Sequence, residues 1–129
     1  MTALTQDRTT PERNGRLVAD PLAAGAVIFA GAMYVLDATA LATPATAAAT
    51  TPVRAVARVR AVQTAGDALT AGALGVFCFD NAPGAAALAR TDIGASCYAL
   101  DDCTVKKTGT CKAGTVLDVT DRGVWVRVG

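Results

Sequence analysis

The chain has 129 residues, a formal net charge of +1 and no histidine. This length suits one domain with a core of its own, and the near-neutral charge provides no global field that would indicate nucleic acid or an acidic partner. Because histidine is absent and Ser96 is the only serine, neither a Ser-His-Asp triad nor a Cys-His pair can form within the chain.

The first predicted element is an extended N-terminal arm over residues 1–20. Its sequence, "MTALTQDRTTPERNGRLVAD", is polar and has no hydrophobic periodicity, which is typical of a segment outside the core. The remaining residues, 21–129, are predicted to form a single β-rich domain.

An apolar run, "LAAGAVIFAGAMYVL", follows at residues 22–36. It resembles the hydrophobic region of a secretory signal, with "ATALA" as a cleavage site. The preceding arm has no excess of positive charge, however, and the run is shorter than the roughly 20 residues of a membrane span. We therefore favour a buried strand over residues 26–36, with Gly31 at a bulge or a close backbone contact.

The middle of the chain is predicted to contain a short strand near 39–43, a surface loop over 43–52 and a strand over 53–62. A period of two places Arg54, Arg58 and Arg60 on one face of the last strand. Such a stripe is typical of a solvated or partner-facing side of a sheet. No aromatic residues alternate with these arginines, which argues against nucleic acid.

The last third is predicted to hold a turn at 66–72, a strand at 73–80 and a short helix within 81–91. Further strands are expected at 95–100, 103–107, 114–119 and 123–128. The last strand alternates, with its valines on one side and Trp125 and Arg127 on the other. This pattern predicts an all-β fold, a small barrel-like or sandwich domain with one short helix.

Four cysteines and an acidic pair are the remaining candidates for chemistry. Cys78, Cys97, Cys103 and Cys111 are separated by eighteen, five and seven residues, and structural zinc sites use closer pairs. The alternatives to four free thiols are a disulfide between Cys103 and Cys111, across a predicted hairpin, and one between Cys78 and Cys97, which lie within predicted strands. Asp101 and Asp102 are expected to point apart at a turn, so no metal site and no catalytic site is predicted.

Five stretches carry a further signal through their order and spacing. They are "LTQDRTTPER", "IFAGAMYVLDATALATPA", "GVFCFDN", "RTDIGASCYALDDCTV" and "AGTVLDVTDRGVWVRV". They follow one another in order from residue 4 to residue 128, and through them the chain resembles the small head decoration (cement) proteins of tailed bacteriophages over nearly its whole length. The alanine-rich loop at 43–52 and the cysteines depart from the pattern of that family.

The resemblance implies a β-rich, barrel-like or β-tulip domain and a structural protein of the virion, assembled in the host cytoplasm. Such a protein binds the major capsid protein on the outer surface of the head, as a homotrimer at threefold and quasi-threefold positions. It implies no catalysis, no cofactor, no nucleic acid and no membrane. We expect interface contacts from Arg8, Arg13, Arg16, Trp125 and Arg127. The alternative is a secreted, disulfide-stabilised β-rich binding module.

Overall fold

The computed structural model describes residues 2–129 and consists mainly of short β-strands. Those residues form β1 (Leu17–Pro21), β2 (Val27–Ile28), β3 (Met33–Leu36), β4 (Ala42–Pro44), β5 (Val53–Ala57), β6 (Ala61–Val62), β7 (Leu69–Ala73), β8 (Gly75–Asn81), β9 (Ser96–Ala99), β10 (Thr104–Lys106), β11 (Lys112–Thr120) and β12 (Gly123–Val128). The helical segments are single 3-10 turns at Gln63–Ala65, Gly84–Ala86 and Arg90–Asp92. None of the helices within residues 2–129 has the length and apolar character needed to span a membrane. The predicted all-β, barrel-like fold class is confirmed.

The strands form two larger sheets and one small one. An open five-stranded sheet has the order β1-β7-β5-β3-β4, and the last five strands close into a barrel in the order β10-β8-β12-β11-β9. Strands β2 and β6 pair as a separate ribbon. A single parallel bridge between Leu22 and Ala42 joins the two edge strands of the open sheet at one end.

The open sheet contributes to two hydrophobic clusters because the side chains of a strand point to both of its faces, and a register shift in the pairing of β3 with β5 leaves Val53 and Val56 on one face. One face presents Met33, Val35, Val53 and Val56 to the valines and cysteines inside the barrel. The opposite face presents Tyr34, Ala55 and other small residues to Ile28 and Leu22. The barrel and the open sheet therefore share one core, while the second cluster binds the ribbon to the sheet.

The predicted arm is shorter in the structure than in the sequence analysis. Residues 2–16 are exposed and belong to no strand or helix. Leu17, however, starts β1, which pairs antiparallel with β7 from Leu17↔Ala73 to Pro21↔Leu69. The last residues of the predicted arm, 17–20, are therefore part of the sheet, and Asp20 is buried.

The apolar run at 22–36 forms core strands, although not the single strand that was predicted. Strands β2 and β3 are separated by a turn, in which the N–H of Ala32 donates to the carbonyl of Phe29 at 3.1 Å. Gly31 has a φ of +86° there, a conformation that glycine adopts without strain. Met33 and Tyr34 beyond the turn are fully buried.

The predicted strand over 53–62 is interrupted by an exposed bend, so its three arginines do not share a face. Arg54 lies on β5 and binds Asp20, whereas Arg58 and Arg60 lie in the bend between β5 and β6. The bend begins beside the β2–β3 turn. The N–H of Gly31 in that turn donates to the carbonyl of Ala57, the last residue of β5, at 2.8 Å.

A strand, β7, replaces most of the turn predicted at 66–72. The sequence indicates this strand only weakly, because Gly72 lies within it and glycine normally disfavours strands. A methyl group at Gly72 would overlap the Tyr34 hydroxyl and crowd the Ala55 side chain. Glycine is thus required for the Tyr34 side chain to lie across the middle of the sheet.

The helical run predicted within 81–91 is also different, because only two 3-10 turns form there. The Asn81 amide pins the segment through two hydrogen bonds to the Leu88 backbone, of 2.8 and 2.9 Å. Leu88 is buried. A run this short has little intrinsic helix stability. The backbone conformation of the segment is therefore determined by the burial of Leu88 in the core. The later strands lie close to their predicted positions.

Candidate functional site

The three arginines of the arm differ in how firmly their backbone is held. Arg8 and Arg13 are exposed and lie outside the sheet. The N–H of Arg16 donates to Oδ1 of Asn14 at 2.9 Å, and its carbonyl accepts from the N–H of Leu74 at 2.8 Å. Arg16 is therefore held where the arm meets the body.

Trp125 and Arg127 lie on the outer face of the barrel, as the alternation of β12 predicts. The residues between them and on either side, Val124, Val126 and Val128, point into the core. Trp125 is half-buried, and its Nε1–H donates to Oγ1 of Thr120 at 3.1 Å. This bond fixes the indole on its own hairpin.

Neighbouring strands extend this outer face. Cys78 on β8 is the cross-strand partner of Trp125, and Val76 is the partner of Arg127. Val76 is 39% exposed and Leu117 on β11 is 45% exposed. We call the set Val76, Leu117, Trp125 and Arg127 the barrel face.

A groove of about 550 Å³ adjoins the barrel face. It crosses the ends of β1, β7 and β5 and reaches the start of β8. We call it the arm-root groove, and its lining includes Arg16, Leu17, Arg58 and Val76. Val76 belongs to both surfaces. The groove, which Arg16 lines, and the barrel face, which contains Arg127, therefore form one continuous surface region.

Arg58 was not recognised as a site residue in the sequence. Arg58 lines the groove together with Arg16 and Leu17, and no ion pair involves it among residues 2–129. A period-two pattern groups Arg58 with Arg54, whose environment is different. The two arginines differ because the strand ends at Ala57 and a bend follows. The sequence does not show this end, since valine and alanine continue to alternate with arginine beyond it.

A buried polar network lies beneath β1 and was also missed. The Tyr34 hydroxyl donates to Oδ2 of Asp20 at 2.8 Å, and Nε of Arg54 contacts the same oxygen at 3.1 Å. Burial raises the pKa of Tyr34, and the Asp20 carboxylate adds to the effect. The hydroxyl therefore stays protonated and continues to donate. This network is a structural connection between β1, β3 and β5.

The predicted Cys103–Cys111 disulfide is absent, and all four cysteines are free thiols. The hairpin on which the hypothesis rested does not form, because β9 lies between β10 and β11 in the barrel. Cys103 is exposed before β10, whereas Cys111 is fully buried.

The acidic corner differs from the sequence interpretation in one respect. Residues 100–103 form a bend, so strand alternation does not apply to Asp101 and Asp102. Their carboxylates and the Cys103 thiol lie within 4.8 Å of one another. Asp101 accepts the N–H of Cys103 at 2.9 Å, which is ordinary turn chemistry, and the corner is largely exposed.

Thiol reactivity is expected to follow burial. Burial raises the pKa of the Cys97 thiol to about 11, so both access and thiolate are scarce there. An alkylating reagent should modify Cys103 rapidly in the native protein, and Cys97 and Cys111 only after unfolding. Peptide mass spectrometry with and without denaturant measures these rates. Recovery of a bonded Cys103–Cys111 peptide from non-reduced protein would contradict the structure.

No protein-family model matches the chain, and neither a curated protein nor a solved structure does.

Proposed function

We propose that this protein is a decoration protein of a tailed-phage head, binding the outer surface of the shell and stabilising the lattice of the major capsid protein. In this proposal it acts as a homotrimer at threefold and quasi-threefold positions, without catalysis or a cofactor. The observation that carries the proposal is an exposed arm that leads directly into the arm-root groove and the barrel face. The resemblance of five ordered stretches to decoration proteins supports it.

The chemistry of this region suits protein–protein contact. Tryptophan and arginine are enriched in interfaces. Arg127 and Trp125 stand among the partly exposed apolar side chains of Val76 and Leu117. An apolar centre beside unpaired guanidinium groups can exclude water and also fix orientation through hydrogen bonds.

The stabilising effect follows from mass action. A protein that binds the assembled shell, and not its dissociated subunits, lowers the free energy of the shell by its binding free energy at every occupied position. Linking several contacts in one oligomer raises the effective concentration of each. Individually modest contacts are therefore sufficient.

Binding to heads tests the proposal directly. The purified protein should co-sediment with expanded heads of its own phage and raise the temperature at which they release DNA. An unrelated β-rich protein of similar size and charge is the control. The proposal is wrong if folded protein fails to bind those heads.

Deleting residues 1–16 should separate the arm from the fold. Residues 2–16 make no strand pairs, and their backbone hydrogen bond to the body is the one from the N–H of Leu74 to the carbonyl of Arg16, so thermal unfolding of the isolated domain should occur at nearly the wild-type temperature. Binding to heads should become weaker, because the arm arginines are lost. Calorimetry and co-sedimentation of the same preparation measure the two effects. A large loss of thermal stability would show that the arm belongs to the fold.

A further inference from the structure

The arm-root groove is positively charged and open. Arg16 and Arg58 line it, and no aspartate or glutamate is among its lining residues. Leu17 is 48% exposed and Val76 is 39% exposed. The groove is therefore lined by two arginines and by apolar residues that are accessible to a partner. Its volume of about 550 Å³ lies within the range of clefts that hold ligands.

Neither Arg16 nor Arg58 forms an ion pair with another residue of the described part of the chain. The ion pairs among residues 2–129 involve Arg54, Arg90 and Lys107. A guanidinium presents several donors in a planar fork that matches a carboxylate. Two such groups lining one groove favour an occupant that brings negative charge.

The arm of a second copy does not supply that charge. Its acidic residues, Asp7 and Glu12, are each followed directly by an arginine. The arm is therefore locally neutral and would bring cations together with carboxylates. Nucleic acid would supply anions, but the chain has a net charge of only +1, and Phe77, the aromatic residue of the lining, is partly buried. Nucleic-acid surfaces are typically more basic and offer exposed rings for stacking.

We infer that the arm-root groove binds an extended acidic segment of the major capsid protein. Arg16 and Arg58 each bind a carboxylate of that segment, and Leu17 and Val76 contact its apolar side chains. The inference rests on the proposed function and assigns the chemistry of the partner surface. The arm would then continue from the occupied groove along the shell.

Charge reversal with a matched control tests the inference. Arg58→Glu should weaken binding to expanded heads roughly 30-fold or more, the usual effect of disrupting a desolvated charge pair. Arg60→Glu makes the same change in net charge two residues away, and Arg60 is exposed but does not line the groove. Its binding should stay within about threefold of wild type, as is usual for a charge outside the contact. Arg58→Gln should fall between the two, and thermal unfolding should confirm that all three variants fold.

The outcomes separate the inference from the proposed function. Failure of wild-type protein to bind heads overturns both. Wild-type binding with equal effects of Arg58→Glu and Arg60→Glu overturns the inference alone. A photo-crosslinking amino acid at Val76 then identifies the occupant. A crosslink to an acidic capsid peptide supports the inference, and a crosslink to the arm of a second copy or to DNA overturns it.

Discussion

Replacing Asp20 with alanine is expected to lower the free energy of unfolding by about 3 kcal/mol. The change leaves the Tyr34 hydroxyl, which is 0% exposed, without its acceptor. It also removes the carboxylate that balances the Arg54 guanidinium. Urea denaturation, followed by Trp125 fluorescence, measures the loss.

Arg90→Ala is the matched control, because it also breaks an ion pair. Arg90 binds Asp118 at 2.9 Å, but both side chains are well exposed. Exposed pairs contribute less than about 1 kcal/mol. Similar losses in the two variants would contradict the structural role assigned to Asp20.

Replacing Gly114 with alanine should destabilise the barrel by about 3 kcal/mol, the upper end for overpacking. A methyl group there would overlap the carbonyl oxygen of Arg127 and crowd the Val126 side chain. The obstruction is backbone in a closed barrel, so rotation of a side chain cannot relieve it. The same denaturation experiment reports the change.

Gly15→Ala controls for the general effect of replacing glycine. No atom lies within 4 Å of a methyl group at Gly15, and the residue is in the exposed arm. The unfolding free energy should stay within about 0.5 kcal/mol of wild type. Equal behaviour of the two variants would show that the contact at Gly114 is not rigid.

The sequence predicted what depends on strong local patterns. Alternation identified β8 and β12 and placed Trp125 and Arg127 on the face opposite the valines, because a half-buried strand must alternate. It missed β7, whose Gly72 is explained only by the Tyr34 side chain lying across it. That contact joins distant segments and leaves no local signature.

The candidate site shows the same limit. Arg16 and Arg127 were selected by residue type, but their connection through Val76 depends on the pairing of β12 with β8. Arg58 belongs to the groove because of a bend that composition does not predict. The net charge of +1 did not indicate a basic groove, because the acidic residues that offset the arginine charges lie outside the groove. The disulfide hypothesis was wrong because a hairpin was assumed where β9 intervenes.

Closure of the barrel also limits how copies of the protein can associate. A closed sheet has no unpaired edge that a strand from another molecule could extend. The edge strands of the open sheet, β1 and β4, end in Pro21 and Pro44 respectively. Proline has no backbone N–H that could pair with a strand from another molecule. For a protein proposed to be crowded in many copies on one surface, this arrangement suppresses sheet-to-sheet polymerisation. High local concentration would then favour ordered contacts with the shell over aggregation.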